Sequence, residues 1–307
     1  MGAVRRIPAQ GAASRGIPKG MPILLDARRA RVGAGEVRRL LPHPRCRRIG
    51  AWCFVDHFGP VESAGPGVGP HPHIGLQTVT WLVEGRMHHG DSLGSQQTIA
   101  PGELNLMTAG RGITHWELSD SEGTSHGVQL WVALPESRRH GPPAFEHHND
   151  LPTTAVDGWS ATVLVGRFAG RRSPATVHTP LLGVELVGSG PTTIPLEAGF
   201  EHAIVVLQGS VRVDGAEVDP RQLAVLPADA TRLTLGARHP ARVLLLGGAP
   251  FETPLAMWWN FVARSHDELA AAQADWQANH PRFGDPTVFP EGRIDAPRMP
   301  QVHLVPR

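Results

Sequence analysis

Two pairs of side chains in this sequence are spaced to hold a metal ion: His71 with His73, and His115 with Glu117, each pair separated by one residue. On an extended strand, residues two apart leave the same face, roughly 6–7 Å apart along the backbone. Two such strands lining a barrel would turn three imidazoles and one carboxylate toward a common point, with Pro72 and Trp116 facing the other way. That donor set is of intermediate hardness, which suits Fe(II), Mn, Co, Ni or Cu and also admits Zn. A six-coordinate ion held by four protein atoms keeps two positions open for a substrate oxygen and dioxygen, so oxygenase chemistry fits better than a closed structural site.

The competing reading is chance, because a chain with 17 histidines can place one such pair by composition alone. The second pair and the surroundings of both weigh against it. GPGVGPHPH runs into the first pair and MTAGRGITHWE carries the second, and glycines of this kind let backbone approach a buried site closely.

Short strands must position these residues. Gly 35 and Pro 29 in 307 residues punctuate short strands more readily than they sit in long helices, so an all-β chain is expected. The length exceeds what one core usually organises, and the 41% hydrophobic fraction can fill two. A formal charge of +1 gives no global field to draw the chain onto nucleic acid or an anionic membrane. The arginines between Arg28 and Arg48 read as a solvated face, since no aromatic residues interleave with them for stacking on bases. Cys46 and Cys53 are too few for a disulfide scaffold, and the first twenty residues lack an apolar run, so a cytoplasmic protein with reduced thiols is expected.

Residues 1–20 read as a disordered lead-in, 21–135 as a first barrel, 136–152 as a linker and 153–250 as a second barrel. Strand-like stretches such as TVTWLVEG from Thr78, QLWVALP from Gln129 and WSATVLVG from Trp159 support that division. An internal repeat does too: HPHIGLQTVTWLVEG from His71 aligns without gaps on PLEAGFEHAIVVLQG from Pro195, and PGELNLMTA from Pro101 on PRQLAVLPA from Pro220. The alignment sets Pro195 and Glu197 opposite the first histidine pair, and Thr234 and Gly236 opposite His115 and Glu117. Within 251–307, Ser265 followed by Glu268 caps a helix of about three turns that Pro281 ends. The proline-rich tail from Gly284 reads as an extended surface strap.

HPHIGLQTVTWLVEG, HGDSLGSQQTIAPGELNLMTAGRGITHWE and HGVQLWVALP, with the upstream RRIGAWCFVDHFGP, resemble the pirin family of the cupin superfamily. The resemblance is strong from about Arg38 to Pro135. It implies a bicupin of two double-stranded β-helix (jelly-roll) barrels, iron held by His71, His73, His115 and Glu117, and a second barrel without metal. One departure stands out: Gln77 occupies a position where pirins commonly carry glutamate, and it is expected to orient His71 or His73 by hydrogen bonding. His89, where pirins often have histidine, is expected to act behind the ligands or at the surface.

Pirins similar to flavonol dioxygenases such as quercetinase suggest that Glu117 acts both as ligand and as the base for a flavonol proton, with a small aromatic compound and O2 as substrates. Two other readings stand beside this one. The first is a regulator whose iron redox state alters binding of a protein partner, as described for eukaryotic pirins, and the second is a binding cupin without turnover. Phe54, Met107 and Trp131 are candidate walls of a substrate pocket, with core packing the plainer alternative. Trp258 and Trp259 either dock the C-terminal segment or shape the entrance to the site.

Overall fold

The protein is described by a computed structural model covering residues 20–33, 35–62, 67–120, 122–285 and 292–307; the expected lead-in, apart from Gly20, lies outside the described residues. A seven-stranded sheet takes, in spatial order, Ala144–His148, Leu104–Thr108, Leu76–Glu84, Thr124–Ala133, Trp52–Glu62, Gly35–Leu41 and Arg28–Val32. It closes into the first barrel against a four-stranded sheet of Val68–His73, Ile113–Ser119, Met87–Asp91 and Gln96–Ile99. A nine-stranded sheet centred on the long strands Leu181–Pro195 and Arg232–Gly248 curls into the second barrel. The expected all-β pair of barrels is therefore present, with its turns at glycines. At Gly75, with φ 71°, an added Cβ would stand 2.0 Å from the Val262 carbonyl oxygen, so the chain can turn there only without a side chain.

Two boundaries differ from the sequence reading. Ile23–Asp26 pairs with Gln222–Val225 of the second barrel, and Ala144–His148, inside the expected linker, pairs with Leu104–Thr108 of the first. Both are edge strands that cover ladder groups otherwise left open. The repeat also needs a shift. In the first barrel His115 pairs with His71 and Ile113 with His73; in the second Thr234 pairs with Thr193 and Arg232 with Pro195. The positions of the first histidine pair thus fall on Thr193 and Pro195, not on Pro195 and Glu197, because the turn that follows is longer in the second barrel. None of Thr193, Pro195, Thr234 and Gly236 can supply an imidazole.

The barrels share one core, because strands at their junction bury both faces. Val79 and Trp81 point outward from the first barrel and meet Ala203, Val205 and Leu207 from the second, while Ile204 and Val206 point into their own barrel. Thr78 and Thr80, by the same alternation, turn into the first barrel. Polar groups at the junction are paired: the buried Glu185 carboxylate accepts from Trp81 Nε1 at 2.8 Å and from Arg242 Nη1 at 2.8 Å.

His57 and His126 face each other in the buried region with 2.8 Å between their Nε2 atoms. Burial, then Arg38, hold the His57 imidazole down to about 3 and the His126 imidazole to about 4, so the contact is made by neutral rings. With folded values below the unfolded value of about 6.5, their stabilisation is complete above that pH and is lost as pH falls toward the folded values. The slope is about 1.4 kcal/mol per pH unit for each imidazole. In His57→Gln, urea unfolding measured between pH 6.5 and 4 is expected to show an acid limb shallower by about one bound proton; an unchanged limb counts against this assignment.

The helix His266–Gln277 begins as expected, with the Ser265 side chain accepting from Glu268 N. The tail is more than a surface strap: Trp276 Nε1 donates to the Ile294 carbonyl, and Ile294 N donates to the Pro70 carbonyl just before His71. Among the described residues, no helix is long and apolar enough to cross a membrane.

Candidate metal centre

His71 and His73 leave one face of Val68–His73, and His115 and Glu117 leave one face of the neighbouring Ile113–Ser119. The imidazoles of His71, His73 and His115 gather with ring centroids 4.4–4.9 Å apart. Each offers a ligand nitrogen within 4.8 Å of the other two. A second triad at the same spacing joins His115 to Glu117 and His89, so Glu117 enters the cluster through His115.

The backbone fixes which nitrogens face inward. His71 Nδ1 lies 2.8 Å from the Gly69 carbonyl and His73 Nδ1 lies 2.8 Å from the Asn260 carbonyl. A carbonyl accepts only, so both Nδ1 atoms carry the proton and both Nε2 lone pairs are free. His115 Nε2 is buried without a hydrogen-bond partner in the protein. An orphaned buried nitrogen is costly, and one gathered with the free Nε2 atoms of His71 and His73 is what an electron-pair acceptor would satisfy. Burial lowers His71 to about 4 and His73 and His115 well below the ordinary imidazole value, with neighbouring imidazoles adding to the effect on all three. All three are therefore neutral donors at pH 7. A divalent cation fits this set, as it fits the hardness of three imidazoles and a carboxylate.

Glu117 is held from the opposite sheet. Its Oε1 accepts from Thr80 Oγ1 at 2.9 Å and its Oε2 from Gln129 Nε2 at 3.1 Å. Burial raises its pKa, while His89 and these two donors act in the opposite direction.

His89 stands opposite Glu117 in the strand register, its Nδ1 3.5 Å from His115 Nδ1 and its Nε2 3.1 Å from Asp91 Oδ2. Its ring stacks on Phe145 at 4.3 Å. It thus lies beside His115 and Glu117, within 4.8 Å of a ligand atom of each. Gln77 does not make the contact expected of it: its amide donates to Thr108 Oγ1 and to the Thr176 carbonyl of the second half of the chain. The cause is the two-residue period, which sends Thr78 and Thr80 inward and Gln77 outward.

A cavity of about 430 Å3 opens onto the cluster, with His71, His73, Glu117, Phe54, Trp131 and Trp259 in its wall. Met107 does not line it; fully buried, it packs with Cys53, Leu76 and Ala109 below. Thr80, Gln129, Asp91 and Asn260 were not found from the sequence. Asp91 lies two residues after His89 on the same strand and was within reach of the periodicity argument. Asn260 contributes a main-chain carbonyl, for which no side-chain pattern gives a signal.

Comparison with known proteins places this geometry in context. Residues 34–132 match the Pirin family and residues 181–284 match the Pirin C-terminal cupin domain. A Pseudomonas aeruginosa protein provisionally named quercetin 2,3-dioxygenase PA1205 is 46% identical over 283 residues, covering 90% of each chain. A pirin-like protein of Caulobacter vibrioides is 39% identical, covering 86% of this chain and 95% of its own. A crystal structure of quercetin 2,3-dioxygenase from Acinetobacter baumannii superposes with a TM-score of 0.88 at 45% identity, covering 92% of this chain and 97% of that one.

Proposed function

The chain belongs to the pirin family of bicupins, and from that premise we propose that it is a dioxygenase dependent on one divalent metal ion, Fe(II), and acting on a flavonol-like aromatic. The observation that carries the reading is the cavity of about 430 Å3 whose wall includes His71, His73 and Glu117, with His115 clustered beside them. Its size lies within the roughly 300–1,000 Å3 of small-molecule sites. A closed structural centre has no need of such space beside its ligands.

In this reading His71, His73, His115 and Glu117 hold the ion. Once bound, the ion supplies Lewis acidity and redox chemistry at the floor of the cavity. The carbonyls of Gly69 and Asn260 fix the tautomers and ring planes of His71 and His73. Glu117 takes the proton of the substrate hydroxyl, and Thr80 and Gln129 keep its two oxygens aimed at the cavity. The apolar wall of Phe54 and Trp131 limits water around the reacting ring.

Protein loaded anaerobically with Fe(II) is expected to take up oxygen when quercetin is added. Glu117→Gln is expected to slow that uptake roughly 100- to 10,000-fold, the span of a general base. Absence of uptake with Fe(II), Mn, Co, Ni and Cu alike removes the dioxygenase assignment.

A further inference from the structure

The cavity needs a surface on which an aromatic substrate can lie, and the two aromatic residues expected from the sequence as its walls do not offer one. Phe54 and Trp131 stack on each other with centroids 4.0 Å apart and planes 13° from parallel. The Arg39 guanidinium, itself held by Asp56, lies 4.5 Å from the Phe54 centroid, and His73 packs against Trp131 at 5.1 Å. Both residues are buried, with 8% and 6% of their surface exposed. Their rings are occupied by protein neighbours.

Trp259 differs in exposure. It lines the same cavity and is only partly buried, its ring meeting Phe261 at a steep angle at 5.3 Å and lying 6.1 Å from Trp258. It occupies the turn between Ala256–Trp258 and Phe261–Ala263, where Trp258 pairs with Phe261. Its φ is 51°, in the left-handed region that favours glycine. The other non-glycine residues described at positive φ are Asp157, Ala169, Asp214 and Asn279, all small. A bulky side chain at such a position is an outlier, and outliers of this kind cluster at functional sites. The next residue, Asn260, supplies the carbonyl that orients His73.

We propose that Trp259 is the specificity-determining residue of this cavity: its indole is the platform on which a planar aromatic substrate stacks, set by the Trp259–Asn260 turn at a fixed position relative to His73. The proposal rests on the aromatic-substrate reading given above and names the residue that would enforce it. Selection for planarity follows, because a flat ring system keeps contact with an indole face and a puckered ring of similar volume does not.

The turn itself permits a clean test, since glycine is the residue its backbone favours. Full-length wild type, Trp259→Gly and Trp259→Phe are loaded with Fe(II) anaerobically. Metal content, thermal midpoint and quercetin affinity by calorimetry are measured, and oxygen uptake is assayed separately. Trp259→Gly is expected to keep stoichiometric metal and an equal or higher thermal midpoint, yet to bind quercetin on the order of tenfold more weakly; Trp259→Phe is expected to recover most of the affinity. Unchanged affinity in Trp259→Gly overturns the proposal, with the dioxygenase reading left standing if uptake continues. Loss of metal or a clearly lower midpoint in Trp259→Gly also overturns it, by showing a packing role. Wild type that binds quercetin through Trp259 but consumes no oxygen sinks the dioxygenase reading alone, and wild type that does not bind quercetin sinks both.

Discussion

His115→Ala, purified without added metal, is expected to contain almost none, while wild type prepared in parallel carries close to one ion per chain. His115 belongs to both triads at the centre, so its loss separates His71 and His73 from Glu117. Replacing a partner that merely orients a ligand typically costs about 10- to 100-fold in affinity, and removal of the ligand itself should exceed that. Oxygen uptake should fall to background with it. His88→Ala is the control: that ring is half exposed, bonded to Asp120 and Thr98, and should leave the metal in place. An ion that binds only the folded state also stabilises it, so chelation should lower the thermal midpoint of wild type and leave His115→Ala unmoved. Stoichiometric metal in His115→Ala would place the ion elsewhere.

Trp52→Ala should show the largest loss of stability. Trp52 is 1% exposed, sits in the core shared by the two barrels, and directs Nε1–H between the carbonyls of Leu182 at 3.1 Å and Gly247 at 3.2 Å. Its ring passes so close to the second barrel that an added Cβ on Gly183 would stand 3.1 Å from it. Truncating a buried tryptophan costs about 3–5 kcal/mol, and here the two Nε1–H contacts to strand carbonyls are also lost. Because one core spans both barrels, urea unfolding followed by fluorescence and by circular dichroism should shift as a single transition. Two separated transitions, or a loss under about 1 kcal/mol, would show that the barrels are stabilised independently.

Much of this was legible because it depends on local spacing. The i, i+2 placement of His71 with His73 and of His115 with Glu117 needs only a strand to become a shared face, and the glycines of MTAGRGI mark the turn that delivers the second pair. The capped helix at Ser265 was equally local. Gln77 shows where this runs out: its family position suggested a ligand partner, but the strand alternates, and its amide bonds Thr108 and Thr176 instead.

The sequence by itself determined the donor types, their pairing along two strands and the all-β architecture. These follow from side-chain chemistry and a two-residue period, both carried by neighbouring positions. Only the tertiary structure decided which nitrogens of His71 and His73 face the site, that His89 packs against His115, and that Trp259 rather than Met107 lines the cavity. Those depend on a carbonyl at position 260 meeting a ring at position 73, and on two sheets pressed together. Contacts between residues so far apart in the chain are set by packing of the whole fold, and no local pattern encodes them.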